Sequence, residues 1–312
     1  MTLFALLACT GAPTEDDTGA TTEETDEDTS PPEPEPVWKQ WPVGTSSTLN
    51  GVYASGEGVY VAGTAAGAYN GGADQTWVPL ETGVNDEESF GDIWGQGAGT
   101  ALELCLPATS GNMVRFTAGN WVYEDLGTAN HEAAAGSGPN ALFAVSWGGI
   151  YAYDGTAWTF EAPPTNERLN DVWASGADAM AVGEGGAIIR RSGGVWTALD
   201  SGVTADLNGV AGTSATDLWA VGSDGTALHY DGGGWTATTT GVTQDLWAVF
   251  APSANTVYAV GSNGVALKWD GTEWTLLPTG VDNNLYAIHG ATASNVWAVG
   301  NRGLAIQYKE TD

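Results

Sequence analysis

A motif that returns about every 40 residues constrains the fold of this chain more than any other feature. A mostly apolar residue followed by a second one three positions later opens each repeat. The pairs are Leu49/Val52, Phe90/Ile93, His131/Ala134, Leu169/Val172, Leu207/Val210, Leu246/Val249 and Leu285/Ile288. Their first members lie 41, 41, 38, 38, 39 and 39 residues apart. Seven units of this length are typical of a closed array of supersecondary units.

Each unit divides into four short segments with strand character. In the fifth unit these are residues 207–212 (strand a), 218–223 (b), 226–231 (c) and 234–239 (d). Strands b and c are separated by Ser223-Asp224-Gly225. An Asp-Gly pair between two apolar segments predicts a tight hairpin turn in which both residues of the pair have positive φ. No window has helical periodicity. We therefore predict an all-β fold, a seven-bladed β-propeller of four-stranded blades.

The N-terminal part of the repeat region predicts how the ring closes. The chain ends after strand c of the seventh unit, so that unit lacks its fourth strand. Trp38 stands 11 residues before Leu49, which is also the spacing from Trp235 to Leu246 and from Trp274 to Leu285. Residues 37–42 are therefore expected to supply strand d of the last blade, which leaves no open edge.

The end of each unit carries a further pattern, as in Tyr-Asp154-Gly-Thr-Ala-Trp158 and Trp-Asp270-Gly-Thr-Glu-Trp274. It resembles the Asp-box, or bacterial-neuraminidase repeat, shortened by one residue. The whole unit across residues 37–312 is similar to the photosystem II assembly-factor family of seven-bladed propellers. This resemblance implies that Asp154, Asp231 and Asp270 cap the c–d turns and that the strand-d tryptophans pack between blades.

The first nine residues end in Leu6-Leu7-Ala8-Cys9, which resembles the lipobox of bacterial lipoproteins. The resemblance implies that Cys9 is lipidated, and an exported protein at the outer membrane or cell surface would follow. The apolar stretch is short and has no preceding basic residue, so an upstream start or an accidental match stays open. Residues 10–36 hold ten acids and no base, which predicts a disordered acidic linker before a propeller at 37–312.

Charge and composition exclude several kinds of partner and site. The formal net charge is −30, and such a chain repels nucleic acid, anionic glycans and acidic membranes. We expect contact with a membrane only through the lipid. The two cysteines, Cys9 and Cys105, form no disulfide framework, and Cys105 lies in an apolar run typical of a buried thiol. The three histidines are scattered, so we expect neither a metal nor a cofactor.

A sialidase-like glycan hydrolase is the sharpest enzyme hypothesis. Enzymes of that kind need three arginines that converge on the substrate carboxylate, together with a tyrosine nucleophile and acidic partners. This chain has five arginines, of which Arg115, Arg190 and Arg191 fall on or beside strand c, away from the axis. We therefore expect no enzyme, and the hydrolase is kept as an alternative.

Antiparallel order places the d–a connections and b–c turns on one face, and these segments vary most between units. The candidate residues for a partner on this face are Asp86, Glu87, Trp147, Arg168 and Arg302. Trp147 is the strongest, since an aromatic residue in a glycine-flanked turn has little core to fill. The sequence thus predicts a non-catalytic binding or scaffold module for a protein or neutral glycan. An assembly factor for a membrane complex is a further alternative.

Overall fold

The computed structural model describes residues 38–65, 67–71, 76–84, 88–127 and 130–310. The predicted lipobox and linker, including Cys9, and the candidate residues Asp86 and Glu87 lie outside the described residues. Within them the chain forms seven four-stranded antiparallel sheets, which confirms the predicted seven-bladed propeller. The helical elements described are five single 3-10 turns, in agreement with the lack of helical periodicity.

Strands are numbered in chain order, and each blade is given from its inner strand a to its outer strand d. Blade 1 consists of β2 Leu49–Ala54, β3 Val59–Gly63, β4 Ala68–Gly71 and β5 Trp77–Pro79; blade 2 of β6 Trp94–Gln96, β7 Glu103–Pro107, β8 Asn112–Thr117 and β9 Asn120–Asp125; blade 3 of β10 His131–Gly138, β11 Ala141–Ser146, β12 Gly149–Tyr153 and β13 Trp158–Glu161; blade 4 of β14 Leu169–Ser175, β15 Asp178–Gly183, β16 Ile188–Ser192 and β17 Val195–Leu199. Blade 5 consists of β18 Leu207–Ser214, β19 Asp217–Gly222, β20 Ala227–Tyr230 and β21 Trp235–Thr238; blade 6 of β22 Leu246–Ser253, β23 Thr256–Gly261, β24 Ala266–Trp269 and β25 Trp274–Leu276; blade 7 of β26 Leu285–Thr292, β27 Asn295–Gly300, β28 Ala305–Lys309 and β1 Trp38–Gln40.

The first strand of the chain completes the last blade, as the sequence predicted. β1 pairs antiparallel with β28, with Trp38 opposite Tyr308 and Gln40 opposite Ile306. Trp38 is only 2% exposed and belongs to a core cluster with residues of blades 6 and 7. The N-terminal strand therefore contributes both a hydrogen-bonded edge and a buried side chain to the closure.

Blade 2 departs from the predicted pattern at its inner strand. Phe90 is fully buried, as an apolar landmark should be, but it pairs with Ala108 only as an isolated bridge. The regular strand β6 begins four residues later, at Trp94. The Asp92 carboxylate between the two accepts a hydrogen bond from the Ala134 N–H of blade 3, so this segment bonds sideways to its neighbour.

The strand-d tryptophans pack between blades, which confirms the role inferred from the repeat. Trp274 of blade 6 meets Trp219 of blade 5 edge to face, with ring centroids 5.2 Å apart. Trp196 of blade 4 makes the same kind of contact with Phe143 of blade 3. Its indole N–H donates to Glu161 of blade 3. Each such ring contributes apolar area to the inter-blade core.

The turns carry the residues that their geometry requires. Asp224 and Gly225 of a b–c turn have φ of 56° and 69°, and both lie in the left-handed region that the sequence predicted. On the other face, the Asp270 carboxylate accepts hydrogen bonds from Thr272 and from the Glu273 N–H. These bonds, that of the Thr272 hydroxyl first, lower the pKa of Asp270 to about 2. Asp154 and Asp231 cap their turns in the same way.

Candidate functional site

A channel of about 760 Å³ follows the axis of the propeller and is lined mainly by the inner strands. Antiparallel order sets its two ends. We call the face with the d–a connections and b–c turns the top face, and the face with the a–b and c–d connections the bottom face. Every strand a starts at the top face, so the first residues of these strands line the upper mouth. Such a cavity on a rigid ring is the usual place for a binding site.

Two of the predicted partner-binding residues meet at the upper mouth. Trp147, in the b–c turn of blade 3, is 59% exposed. The guanidinium of Arg168, at the start of blade 4, lies 4.7 Å from the centre of the Trp147 ring. Arg168 also bonds Glu132 at 2.8 Å and lies 4.0 Å from Glu184. The Trp147 indole N–H donates to the same Glu132 carboxylate. We call these four residues the mouth cluster.

The mouth cluster replaces a bond that other blades make at the same place. In those blades the residue before strand a is short and polar, and it accepts a hydrogen bond from the b–c turn of the preceding blade. Asp206 accepts from Gly185, Asp245 from Asp224, and Asn284 from Asn263. The Arg168 side chain has no acceptor atom to offer and stacks on Trp147. An aromatic ring and a guanidinium therefore face solvent where the repeat has a turn cap.

The wall of the channel contains two carboxyl groups with raised pKa values. Asp171 of blade 4 accepts bonds of 2.7 Å from the N–H groups of Val172 and Val210. Loss of hydration raises its pKa to about 8, and the charge of Asp92 adds to the shift. Loss of hydration also raises the pKa of Asp92 to about 6. Both side chains join neighbouring inner strands, since Val210 and Ala134 belong to the next blades.

The lower end of the channel is built from rings packed on glycines of the next blade. Tyr53 of blade 1 covers Gly95 of blade 2, where an added Cβ would lie 2.2 Å from the ring. The Trp173 indole N–H of blade 4 donates to the carbonyl of Gly212 in blade 5. His289 of blade 7 accepts a bond from the Ala54 N–H, and burial lowers its pKa to about 4. His289 is therefore neutral at physiological pH.

Arg302 is not brought to the mouth cluster. It lies exposed in the b–c turn of blade 7, where its φ is 59°, and it does not line the channel. Beside the undescribed Asp86 and Glu87, Glu88 is buried and accepts two bonds from Ser110 of the blade 2 turn. Of the three predicted residues on this face that the structure describes, Trp147 and Arg168 are joined into one site.

The arginines of the hydrolase hypothesis do not converge. Arg115 on β8 is paired with Glu124 and bonds the Tyr153 hydroxyl of the next blade. Arg190 and Arg191 on β16 likewise bond residues of neighbouring blades, Tyr230 and Glu161. These three guanidinium groups therefore hold blades together on strand c, which is where the sequence placed them. The Cys105 thiol is fully buried in β7, as expected, and burial raises its pKa.

Sequence reasoning missed most residues of the channel wall. Glu132, Trp247 and Tyr286 occupy the position just after the first landmark of their repeats. In blades 1, 4 and 5 this position is an asparagine whose side chain donates to the landmark carbonyl of the next blade. A comparison of the repeats at this one position would have identified these three side chains, together with Gly91 of blade 2, as the exceptions.

The described residues contain no group of three or more His, Cys, Asp or Glu side chains arranged to hold a metal ion. Nor does the described part of the chain include a helix with the length and hydrophobicity needed to cross a bilayer.

Comparison with known proteins shows similarity at the level of the fold. No protein-family model matches the sequence, and no curated protein matches it significantly. Among solved structures, YCF48 bound to a D1 peptide superposes with a TM-score of 0.71 at 17% identity, over 88% of this chain and 97% of that one. YCF48 from Cyanidioschyzon merolae gives 0.70 at 17% identity, over 87% and 98%. The WD40 repeats of RRP9 give 0.74 at 9% identity, over 87% and 97%.

These similarities confirm a seven-bladed propeller similar in structure to YCF48. At such low identity they establish the architecture alone.

Proposed function

We propose that this protein is a non-catalytic propeller that binds a protein partner on its top face, across the mouth cluster. The observation that carries the proposal is the exposed Trp147 ring stacked on Arg168 at the rim of the channel. Tryptophan and arginine are the residues most often responsible for binding energy at protein interfaces. Here they stand on rigid strands and turns, so little order is lost when a partner binds.

The structural neighbours support a protein as the partner. One of the similar propellers is bound to a peptide, and another consists of WD40 repeats. A neutral glycan is the weaker candidate, because the mouth cluster offers an ion pair as well as an aromatic face. An assembly role for a membrane complex is a special case of the same proposal.

We further propose that the propeller is exported and anchored by a lipid on Cys9, with residues 10–36 as an acidic spacer. The support is the lipobox-like sequence and the composition of the spacer. β1 runs from the bottom face to the top face, so the chain enters the propeller on the bottom face.

Substitution of the exposed tryptophan tests the proposed function. We expect Trp147→Ala to lower the affinity for the partner by about 2 kcal/mol or more, as at interface hot spots. The melting temperature should change little, because the ring is mostly in solvent. Partners are first captured from envelope and soluble extracts on the immobilised full-length protein. The affinity of each captured protein is then measured by titration against the wild type and the variant.

Tyr123→Ala is the matched control, because Tyr123 is another exposed aromatic residue, on the outer strand β9. A partner retained equally by the wild type and by both variants would contradict the proposal. Release of sugar from sialylated or neutral glycans by the purified protein would instead support the hydrolase.

A further inference from the structure

The charges that line the axial channel are strongly unbalanced. Five carboxyl groups and one guanidinium contribute to its wall: Asp92, Glu132, Asp171, Glu184, Asp206 and Arg168. His289, the remaining titratable nitrogen of the wall, is neutral near pH 7 because burial lowers its pKa to about 4. A cavity with this composition favours a cation over an anion or a neutral ligand.

Arg168 does not neutralise this excess. It reaches Glu132 at 2.8 Å and Glu184 at 4.0 Å, and these two carboxylates already outnumber it. Asp206 is bonded to a backbone N–H group, which supplies a dipole without a full positive charge. A further positive charge in the cavity would meet several acceptors that have no cationic partner.

An aromatic pair lies in the same cavity, on blades 6 and 7. The rings of Trp247 and Tyr286 are 5.8 Å apart. Their polar atoms are engaged: the Trp247 indole N–H donates to Ser262, and the Tyr286 hydroxyl accepts from Asn284. What they offer a ligand is therefore ring surface, which attracts an ammonium or guanidinium group. This feature is independent of the carboxylates and favours the same class of ligand.

We propose that the upper mouth of the channel receives a lysine or arginine side chain from the protein partner. This inference rests on the proposed function, because the mouth cluster borders the channel on the top face. A metal ion fits less well, since the described residues bring no three ligand groups together. In the channel, the cationic group has Glu132 and Glu184 on one side and the Trp247 ring on the other. The backbone of the partner lies across Trp147.

Binding of the cation is coupled to release of a proton from Asp171. Asp171 of blade 4 faces Asp92, which belongs to blade 2. The other charged or titratable side chains of the channel wall are Glu132, Arg168, Glu184, Asp206 and His289. With its pKa at about 8, Asp171 holds a proton at neutral pH in the empty channel. A cation favours the ionised form, so binding releases that proton. Affinity therefore rises between pH 6 and pH 8, as Asp171 becomes easier to ionise.

A tetralysine peptide labelled with fluorescein tests this proposal by fluorescence anisotropy on the full-length chain at 0.15 M salt. Its fully acetylated form is the uncharged control probe. We expect Glu132→Gln/Glu184→Gln to weaken tetralysine binding at least tenfold. The control Glu57→Gln/Glu273→Gln removes the same charge from exposed positions on the bottom face and should change it less than twofold. Equal losses in the two double variants would mean diffuse attraction and would overturn the proposal.

The pH dependence gives a second readout. Binding by the wild type should strengthen from pH 6 to pH 8, and Asp171→Asn should reduce that rise to the part contributed by Asp92, whose pKa is about 6. If Asp171→Asn does not fold, the difference in tetralysine affinity between Glu132→Gln/Glu184→Gln and the control double variant tests the proposal by itself. A partner that needs Trp147 while tetralysine shows no preference for the mouth would refute this inference alone. Tetralysine binding at the mouth without any partner dependent on Trp147 would refute the proposed function instead.

Discussion

At the scale of single residues, the site consists of departures from a repeat that is otherwise structural. The position before strand a holds Asp206, Asp245 or Asn284 where it caps a neighbouring turn, and Arg168 where it does not. A residue repeated in register serves the ring, while one that breaks the series and stays exposed is available to a ligand. Asp171 is an intermediate case, since it bonds the next blade and also lines the channel.

Asp171 gives a prediction about stability and pH. An unfolded aspartate titrates near 4, whereas the folded pKa is about 8. Between these values the folded protein binds more protons than the unfolded chain, so stability on this account falls as pH rises. Asp171→Asn should therefore lose less free energy of unfolding between pH 5 and pH 8 than the wild type, measured in urea. Asp282→Asn, an exposed change on the same face, should behave like the wild type; equal slopes in all three proteins would contradict this assignment.

At the scale of strands and blades, closure depends on a strand of three residues. Trp38 carries most of the apolar contact of β1, since its strand neighbours Lys39 and Gln40 are exposed. Its ring lies 5.4 Å from that of Tyr308, in a cluster shared with blade 6. The strand thus locks blade 7 by its core contact as much as by its hydrogen bonds.

Loss of this side chain should destabilise the whole ring. Trp38→Ala empties a fully packed position and should cost about 3–5 kcal/mol of unfolding free energy, with aggregation through the loosened edge. Lys39→Ala, on the same strand, should cost less than about 1 kcal/mol because the side chain is exposed. Thermal and urea unfolding with light scattering measure both effects. Closure by β1 would be wrong if the two variants melted together.

Neighbouring blades also fit by pairing a ring with a glycine. Gly95→Ala should cost about 1–3 kcal/mol, because the new methyl group would overlap the Tyr53 ring. In a Tyr53→Ala background the same change should cost almost nothing, and a double-mutant cycle measures this coupling. If the cost of Gly95→Ala were the same in both backgrounds, the Tyr53 ring would not be its cause.

At the scale of the whole molecule, the proposed binding site and the start of the first strand lie on opposite faces. The mouth cluster and the upper mouth lie on the top face, whereas β1 begins and β28 ends at the bottom face. The turn caps Asp154, Asp231 and Asp270 occupy the bottom face, and their carboxylates are bonded to the turns. The top face presents an exposed indole, that of Trp147, beside the carboxylates of the channel mouth.

The proposed anchor can be tested on the intact protein in its own cells. Cys9→Ser should prevent lipidation and move the protein from the membrane fraction to a soluble one, with the melting temperature of the propeller unchanged. Mass spectrometry of the N-terminus provides the direct measurement. An unmodified Met1 in the wild type would refute the anchor and leave the propeller assignment intact.

The sequence by itself determined the ring, the number of blades and the closing strand. The repeat length, the turn residues and the strand-d tryptophans are local or repeated features. Because every blade requires them, the seven repeats independently indicate the same structure. The site is different because it assembles from single positions in separate blades. That Glu132, Arg168 and Trp147 meet, and that Asp92 and Asp171 share one channel, follows from the radius and register of the closed ring. Only the tertiary structure decides such distances, because no local pattern encodes the approach of inner strands across an axis.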